Sequence, residues 1–345
     1  MELVANLFWG GVNGLVGYLS AHVITCLVPA LFIAGAIATF VSQAAIIKYF
    51  GPQAKKPVSY GVASVSGAVL AVCSCTVLPL FAGIYKRGAG LGPAIAFLFS
   101  GPAINVLAIV YSAQLLGYDI GLARAIGAMV FSVVVGLIMA IIFRKEKSHA
   151  DAQAFAALAA DPPGKGIWQQ VIFIAVLVVI LVFAASKNWI VTGISLAALA
   201  VILWRWFSRG EIVQWLKETL HFTRLIIPWL LVGVFAAGIL TVVIPQSLVV
   251  QYVGGNSLSG NFVASFFGAL MYFATLTEVP IVKAFMDLGM GKGPALALLL
   301  AGPSLSLPAM LVIRNIMGTK KMLTYVGLVV VMATITGYGF GLLTQ

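Results

Sequence analysis

Two thiols and two hydroxyls stand side by side at Cys73, Ser74, Cys75 and Thr76, and Pro79 follows. Thiolates are nucleophiles and soft ligands. They suit thiophilic centres such as trivalent arsenic, antimony, mercury or a copper-like ion. The four residues interrupt an apolar run from about residue 58 to 87. Backbone that breaks at membrane depth is tolerated only inside protein or beside a water-filled cavity. This polar knot is therefore a candidate site, with Cys73 and Cys75 as joint ligands of a thiophilic substrate. The plainer reading is that cysteine is a small residue that packs well in apolar surroundings. Cys-x-Cys also lacks the second pair of a zinc site. Cys26 is either a third ligand or a packing residue.

Glu278 is the second chemical signal. It sits within an apolar segment, whereas the other acidic residues fall in loops or near segment ends. A carboxylate at the bilayer centre costs about 2.5–3.5 kcal/mol on insertion scales, so it defaults to a functional hypothesis. The role it suggests is proton carrier for coupling. The structural alternatives are capping a broken helix or pairing with Lys283. Lys283 and Asp287 are one turn apart and most simply pair with each other. Asn105, Thr275, Thr277, Ser304 and Ser306 complete the candidate set. Asn105, Ser304 and Ser306 either line a pathway or satisfy loose backbone at breaks.

The elements that position these residues must lie in a bilayer. Of 345 residues, 62% are hydrophobic and 8% charged, against about 25% charged in soluble domains. The net charge of +11 lies in short loops between apolar runs, so it reads as topology and lipid headgroup contact rather than nucleic-acid binding. Cysteines confined to apolar segments argue against a secreted disulfide framework. The start of the chain lacks a basic region, so no cleavable signal peptide is expected. His22 and His221 fall at segment ends and read as interfacial. Tryptophans near segment ends resemble an aromatic belt.

The chain repeats itself. Pro79 through Gly117 overlays Pro280 through Gly318 without a gap, an offset of 201 that matches Gly88, Gly90, Gly92, Pro93, Gly101 and Pro102 to identical residues. Transporters are commonly built from such duplications. Each half carries two broken segments. The breaks are at Cys73–Thr76 and 100–105 in the first half, and at 275–278 and 301–306 in the second. Prolines 79, 102, 280 and 303 suit the first turn of a restarting helix, and Ser74, Thr76 and Thr277 are able caps.

Charge counting sets the topology. If 58–87 and 258–288 are re-entrant hairpins, nearly all of the 20 Lys and Arg share one face, and Arg124, Lys187, Lys283 and Lys292 remain opposite. The positive-inside rule favours that arrangement. The expected fold is an all-α integral membrane protein of two inverted repeats. It has about eight transmembrane helices plus two re-entrant hairpins, both termini outside, and broken helices meeting at the midplane. The repeats occupy 1–145 and 211–345; residues 146–210 supply a polar linker and two central helices. Helix N-termini aimed at the midplane would favour an anion or thiolate there.

At Cys73-Ser74-Cys75, Leu78-Pro79, Arg87-Gly88-Ala89 and Gly101-Pro102-Ala103-Ile104-Asn105 the chain resembles a bacterial and archaeal family of predicted permeases that includes organoarsenical efflux permeases. The resemblance covers nearly the whole chain. It implies a multi-pass cell inner-membrane exporter of trivalent organoarsenicals or related thiophilic species, with Cys73, Ser74 and Cys75 among the substrate contacts. The second half offers Thr275-Leu276-Thr277-Glu278 in place of thiols. No Gly-x-x-x-x-Gly-Lys motif occurs, so direct ATP use is not expected. No cofactor is expected; the expected partners are a small-molecule or metalloid substrate, the lipid bilayer and a second copy of the chain in a homodimer. Two alternatives stay open. One is a transporter of a small sulfur-containing anion. The other is a membrane thiol oxidoreductase, which the spacing disfavours because redox pairs usually read Cys-x-x-Cys.

Overall fold

A computed structural model describes residues 2–20, 27–40, 55–70, 74–86, 88–144, 167–243, 252–272 and 278–344. These form helices throughout, apart from one isolated bridge between Gly254 and Met290. The first part comprises α1 (Glu2–Tyr18), α2 (Val28–Phe40), α3 (Lys56–Leu70), α4 (Ser74–Lys86), α5 (Leu91–Ala103), α6 (Val106–Leu116) and α7 (Tyr118–Ile142). Then come α8 (Ile167–Ala185), α9 (Trp189–Trp206) and the long α10 (Arg209–Val243). The last part holds α11 (Leu258–Leu270), α12 (Glu278–Asp287), α13 (Lys292–Ala301), α14 (Leu307–Met317) and α15 (Thr319–Leu343).

Four described helices are long and apolar enough to cross a membrane: Tyr118–Ile142, Trp189–Trp206, Arg209–Ala236 and Thr319–Leu343. Helices α5 and α6 together would make a fifth span, bent by 47° at their junction. The helix bounds keep the offset seen in the sequence. Val106–Leu116 and Tyr118–Ile142 return as Leu307–Met317 and Thr319–Leu343, an offset of 201 at every end. Packing repeats too: α5 lies on α7 and α3, and α13 lies on α15 and α11. Across the halves, α4 packs on α14 while α12 packs on α6.

Two pairs of glycines explain the closest crossings. A methyl group added at Gly92 would meet the carbonyl oxygen of Gly136 at 2.9 Å; one added at Gly293 would meet that of Gly337 at 2.7 Å. Association within lipid depends on close backbone approach rather than water release, and small residues permit it. Polar side chains join α3 to α7 and α11 to α15. Ser64 and Ser132 share a 2.8 Å hydrogen bond, and Ser265 and Thr334 share one of 2.7 Å.

A large core spans both halves through Phe81, Phe99, Phe131, Ile226, Leu300 and Tyr325. A smaller one sets Leu116 and Ile120 against Val279, Val282, Phe285 and Leu298. This second cluster pins α12 to the α6–α7 corner, where Gly117 takes a positive φ of 116°.

The prolines are placed differently from the expectation. Pro79 lies inside α4 and Pro102 inside α5, while Pro303 sits in a turn. Pro280 does fall in the first turn of α12. The restarts that follow the breaks at 100–105 and 301–306 open instead at Val106 and Leu307, because Asn105 and Ser306 supply the oxygens that the first-turn amides need.

Candidate functional site

Glu278 opens α12 and is fully buried. Its Oε2 lies 3.3 Å from Nη2 of Arg124 on α7, which is equally buried. Ile120 and Arg124 are one turn apart, so the apolar contact that holds α12 also turns the guanidinium toward the carboxylate. Arg124 Nη1 donates to Ser112 Oγ at 2.8 Å, and Ser112 in turn donates to the Ala108 carbonyl at 2.7 Å. The ion pair therefore ties the first half to the second. A carboxylate at a helix N-terminus is also favoured by the helix dipole.

The pair is incompletely satisfied. Glu278 Oε1 and Arg124 Nε are buried with no hydrogen-bond partner among the described residues. Beside Oε1 lies Gly302, where an added methyl group would come within 3.0 Å of that oxygen and 3.1 Å of the Leu298 carbonyl. Glycine at this break leaves the carboxyl group room that any side chain would take. Two residues on, Ser304 Oγ reaches the Phe99 carbonyl at 3.5 Å, and its own carbonyl accepts from the Tyr325 hydroxyl at 3.3 Å. The break at 301–306 thus links Glu278 to the end of α5.

At the offset of 201, Arg124 corresponds to Tyr325 and Glu278 to Val77, both buried. Each pair spans both halves: one is a salt bridge, and its counterpart is a phenol and an aliphatic side chain. Asn105 and Ser306 correspond as well and do the same work. Asn105 Oδ1 accepts from the Ala108 amide at 3.3 Å, and Ser306 Oγ from the Ala309 amide at 3.2 Å. Their place is that of helix caps. Thr76 is buried within α4.

Cys73, Thr275, Thr277 and Cys26 lie outside the described residues. Ser74 and Cys75 begin the backbone of α4, while their side chains also lie outside what is described. Among the described residues, no three His, Cys, Asp or Glu side chains gather as a metal cluster would.

One assignment from charge counting is corrected. Arg124, expected on the less basic face, is in the interior. Its buried counter-ion and the Ser112 hydroxyl draw it away from the interface. The signal in the sequence was its position six residues inside an apolar segment, far enough in to question a loop reading. Lys283 pairs with Asp287 on the exposed side of α12, leaving Glu278 to Arg124.

The ArsP_1 family model, described as predicted permease, matches residues 8–342. A UPF0718 protein of Methanocaldococcus jannaschii is 49% identical over 366 residues, covering 100% of this chain and 99% of that protein. The UPF0718 protein YraQ of Escherichia coli is 25% identical over 269 residues, covering 77% of this chain and 63% of that protein. No solved structure matches.

Proposed function

Because the chain belongs to the ArsP_1 predicted permease family, a multi-pass membrane transporter, we propose that it is a secondary exporter of trivalent organoarsenicals or related thiophilic species. Cys73 and Cys75 bind the substrate, with Ser74 and Thr76 beside them, and Glu278 carries the coupling proton. The observation that carries this reading is the fully buried Arg124–Glu278 pair at a broken helix. Ionisable residues inside a membrane are costly, pair with one another and mark pathways or proton relays. The unpartnered Oε1 beside Gly302 is the atom that would receive the proton.

The architecture proposed is an inverted repeat, with re-entrant hairpins at 58–87 and 258–288 and both termini outside. Side-chain contacts support the assignment of faces. Lys86 meets Glu218, and Lys321 lies over the Phe143 ring, all on the basic side. Asp119 meets Lys292 on the other. The test is export from cells of the cysteine double variant Cys73→Ser with Cys75→Ser. Loss of resistance to a methylated trivalent arsenical, with the protein still in the membrane, is expected. Unchanged resistance removes the thiols from the mechanism. Glu278→Gln should separately abolish the dependence of transport on a proton gradient in liposomes.

A further inference from the structure

We propose that Arg124 becomes the binding site for a small anion whenever Glu278 takes a proton, so that the protein binds proton and anion together. This rests on the reading of Glu278 as a proton carrier.

An arginine cannot give up its own charge. When Glu278 is neutral, the guanidinium is a buried cation whose remaining side-chain partner among the described residues is the uncharged Ser112 hydroxyl. A buried charge without a counter-ion is strongly disfavoured. No nearby carboxylate can replace Glu278 among the described residues. Helix α12 packs on α6 and α13 and meets α7 through the ion pair. Helix α6 holds Tyr111 and no acidic or basic residue. On α13, Lys292 is engaged by Asp119 of α7, and on α12 itself Lys283 engages Asp287. Residues 273–277, just before α12, include no ionisable side chain. With no replacement among the described residues, an anion from outside the chain takes that place.

The geometry sets its class. Nη2 stands 3.3 Å from Glu278, longer than the roughly 2.7–2.9 Å of a tight charge-assisted bond. Nε has no partner among the described residues. The guanidinium edge formed by Nε and one terminal nitrogen is the fork that takes two acceptor atoms at once. A carboxylate or a small oxyanion fits it, and Gly302 withholds the side chain that would crowd the carboxyl group. Binding linkage is reciprocal, so a proton on Glu278 raises anion affinity and a bound anion raises proton affinity by the same factor.

Thiosulfate binding to the purified full-length protein tests this by calorimetry between pH 8 and pH 5.5. Wild type should bind more tightly as pH falls, by up to about tenfold per pH unit while Glu278 is ionised in the free protein. Glu278→Gln should bind at pH 8 at least tenfold more tightly than wild type and show no pH dependence. The double variant R124Q/E278Q should lose that affinity. Equal binding by Glu278→Gln and the double variant overturns the proposal, as does a wild-type affinity that ignores pH. If Glu278→Gln cannot be purified, the wild-type series against the double variant decides it, since the same rise in both overturns the assignment to Arg124. Phenylarsine oxide binding is followed in parallel. Thiophile binding in all three proteins without Arg124-dependent thiosulfate binding sinks this inference alone. Thiosulfate binding that follows Arg124 without any thiophile binding supports the inference and sinks the thiol reading.

Discussion

Arg124 and Glu278 neutralise each other where neither has water to turn to, and that arrangement makes their removal asymmetric. Deleting one partner strands a buried charge, which costs about 3–5 kcal/mol; deleting both removes the need for either. Arg124→Gln alone should therefore lower thermal stability in detergent more than R124Q/E278Q does. A double-mutant cycle in which the two losses simply add would show that the pair is not coupled. The sequence exposed half of this unit. Glu278 stood out because a carboxylate deep in an apolar segment has no cheap explanation. Arg124 did not, because a cation near the start of an apolar run can extend its stem toward the interface. Its partner lies 154 positions away, a separation that no local pattern reveals.

At the scale of the helix, glycine and proline carried the message, because their spacing survives when other side chains diverge. The offset of 201 read from them is the offset of the α6–α7 and α14–α15 bounds. Where a broken helix restarts is decided by finer chemistry. Proline alone pointed to 102 and 303, yet α6 and α14 open at Val106 and Leu307, behind the oxygens of Asn105 and Ser306. Asn105→Ala and Ser306→Ala should each cost about 1 kcal/mol, while Asn105→Asp or Ser306→Thr should restore most of it. Equal melting temperatures for all four variants and wild type would deny the caps any role. The glycine crossings are less forgiving. Gly293→Leu must push α13 away from α15, since even a first carbon sits 2.7 Å from the Gly337 carbonyl. Neither close approach is visible in residue types alone, because glycines such as Gly61, Gly193 and Gly327 sit in helices of the same kind and touch nothing.

Across the whole molecule, burial of Arg124 changes the balance of charge rather than upsetting it. In the proposed topology, with that residue inside, Lys187, Lys283 and Lys292 are left to face the remaining Lys and Arg, so the asymmetry that would orient the chain becomes steeper. The contacts are compatible with that grouping: Lys86 pairs with Glu218, and Asp119 with Lys292. Two halves of opposite direction follow if α7 and its counterpart α15 start on opposite faces. Asp119 in the first turn of α7 pairs with Lys292, and the proposed topology puts Lys320 and Lys321, in the first turn of α15, on the opposite, basic side. Single cysteines at Tyr118, which opens α7, and at Lys321, compared with wild type to account for Cys26, Cys73 and Cys75, decide the matter in intact cells. A membrane-impermeant maleimide should label Tyr118→Cys from outside, and Lys321→Cys after the membrane is opened. Labelling of both from the same side would make the halves parallel, and the broken helices of the two repeats would then lose the back-to-back placement that a shared transport site requires.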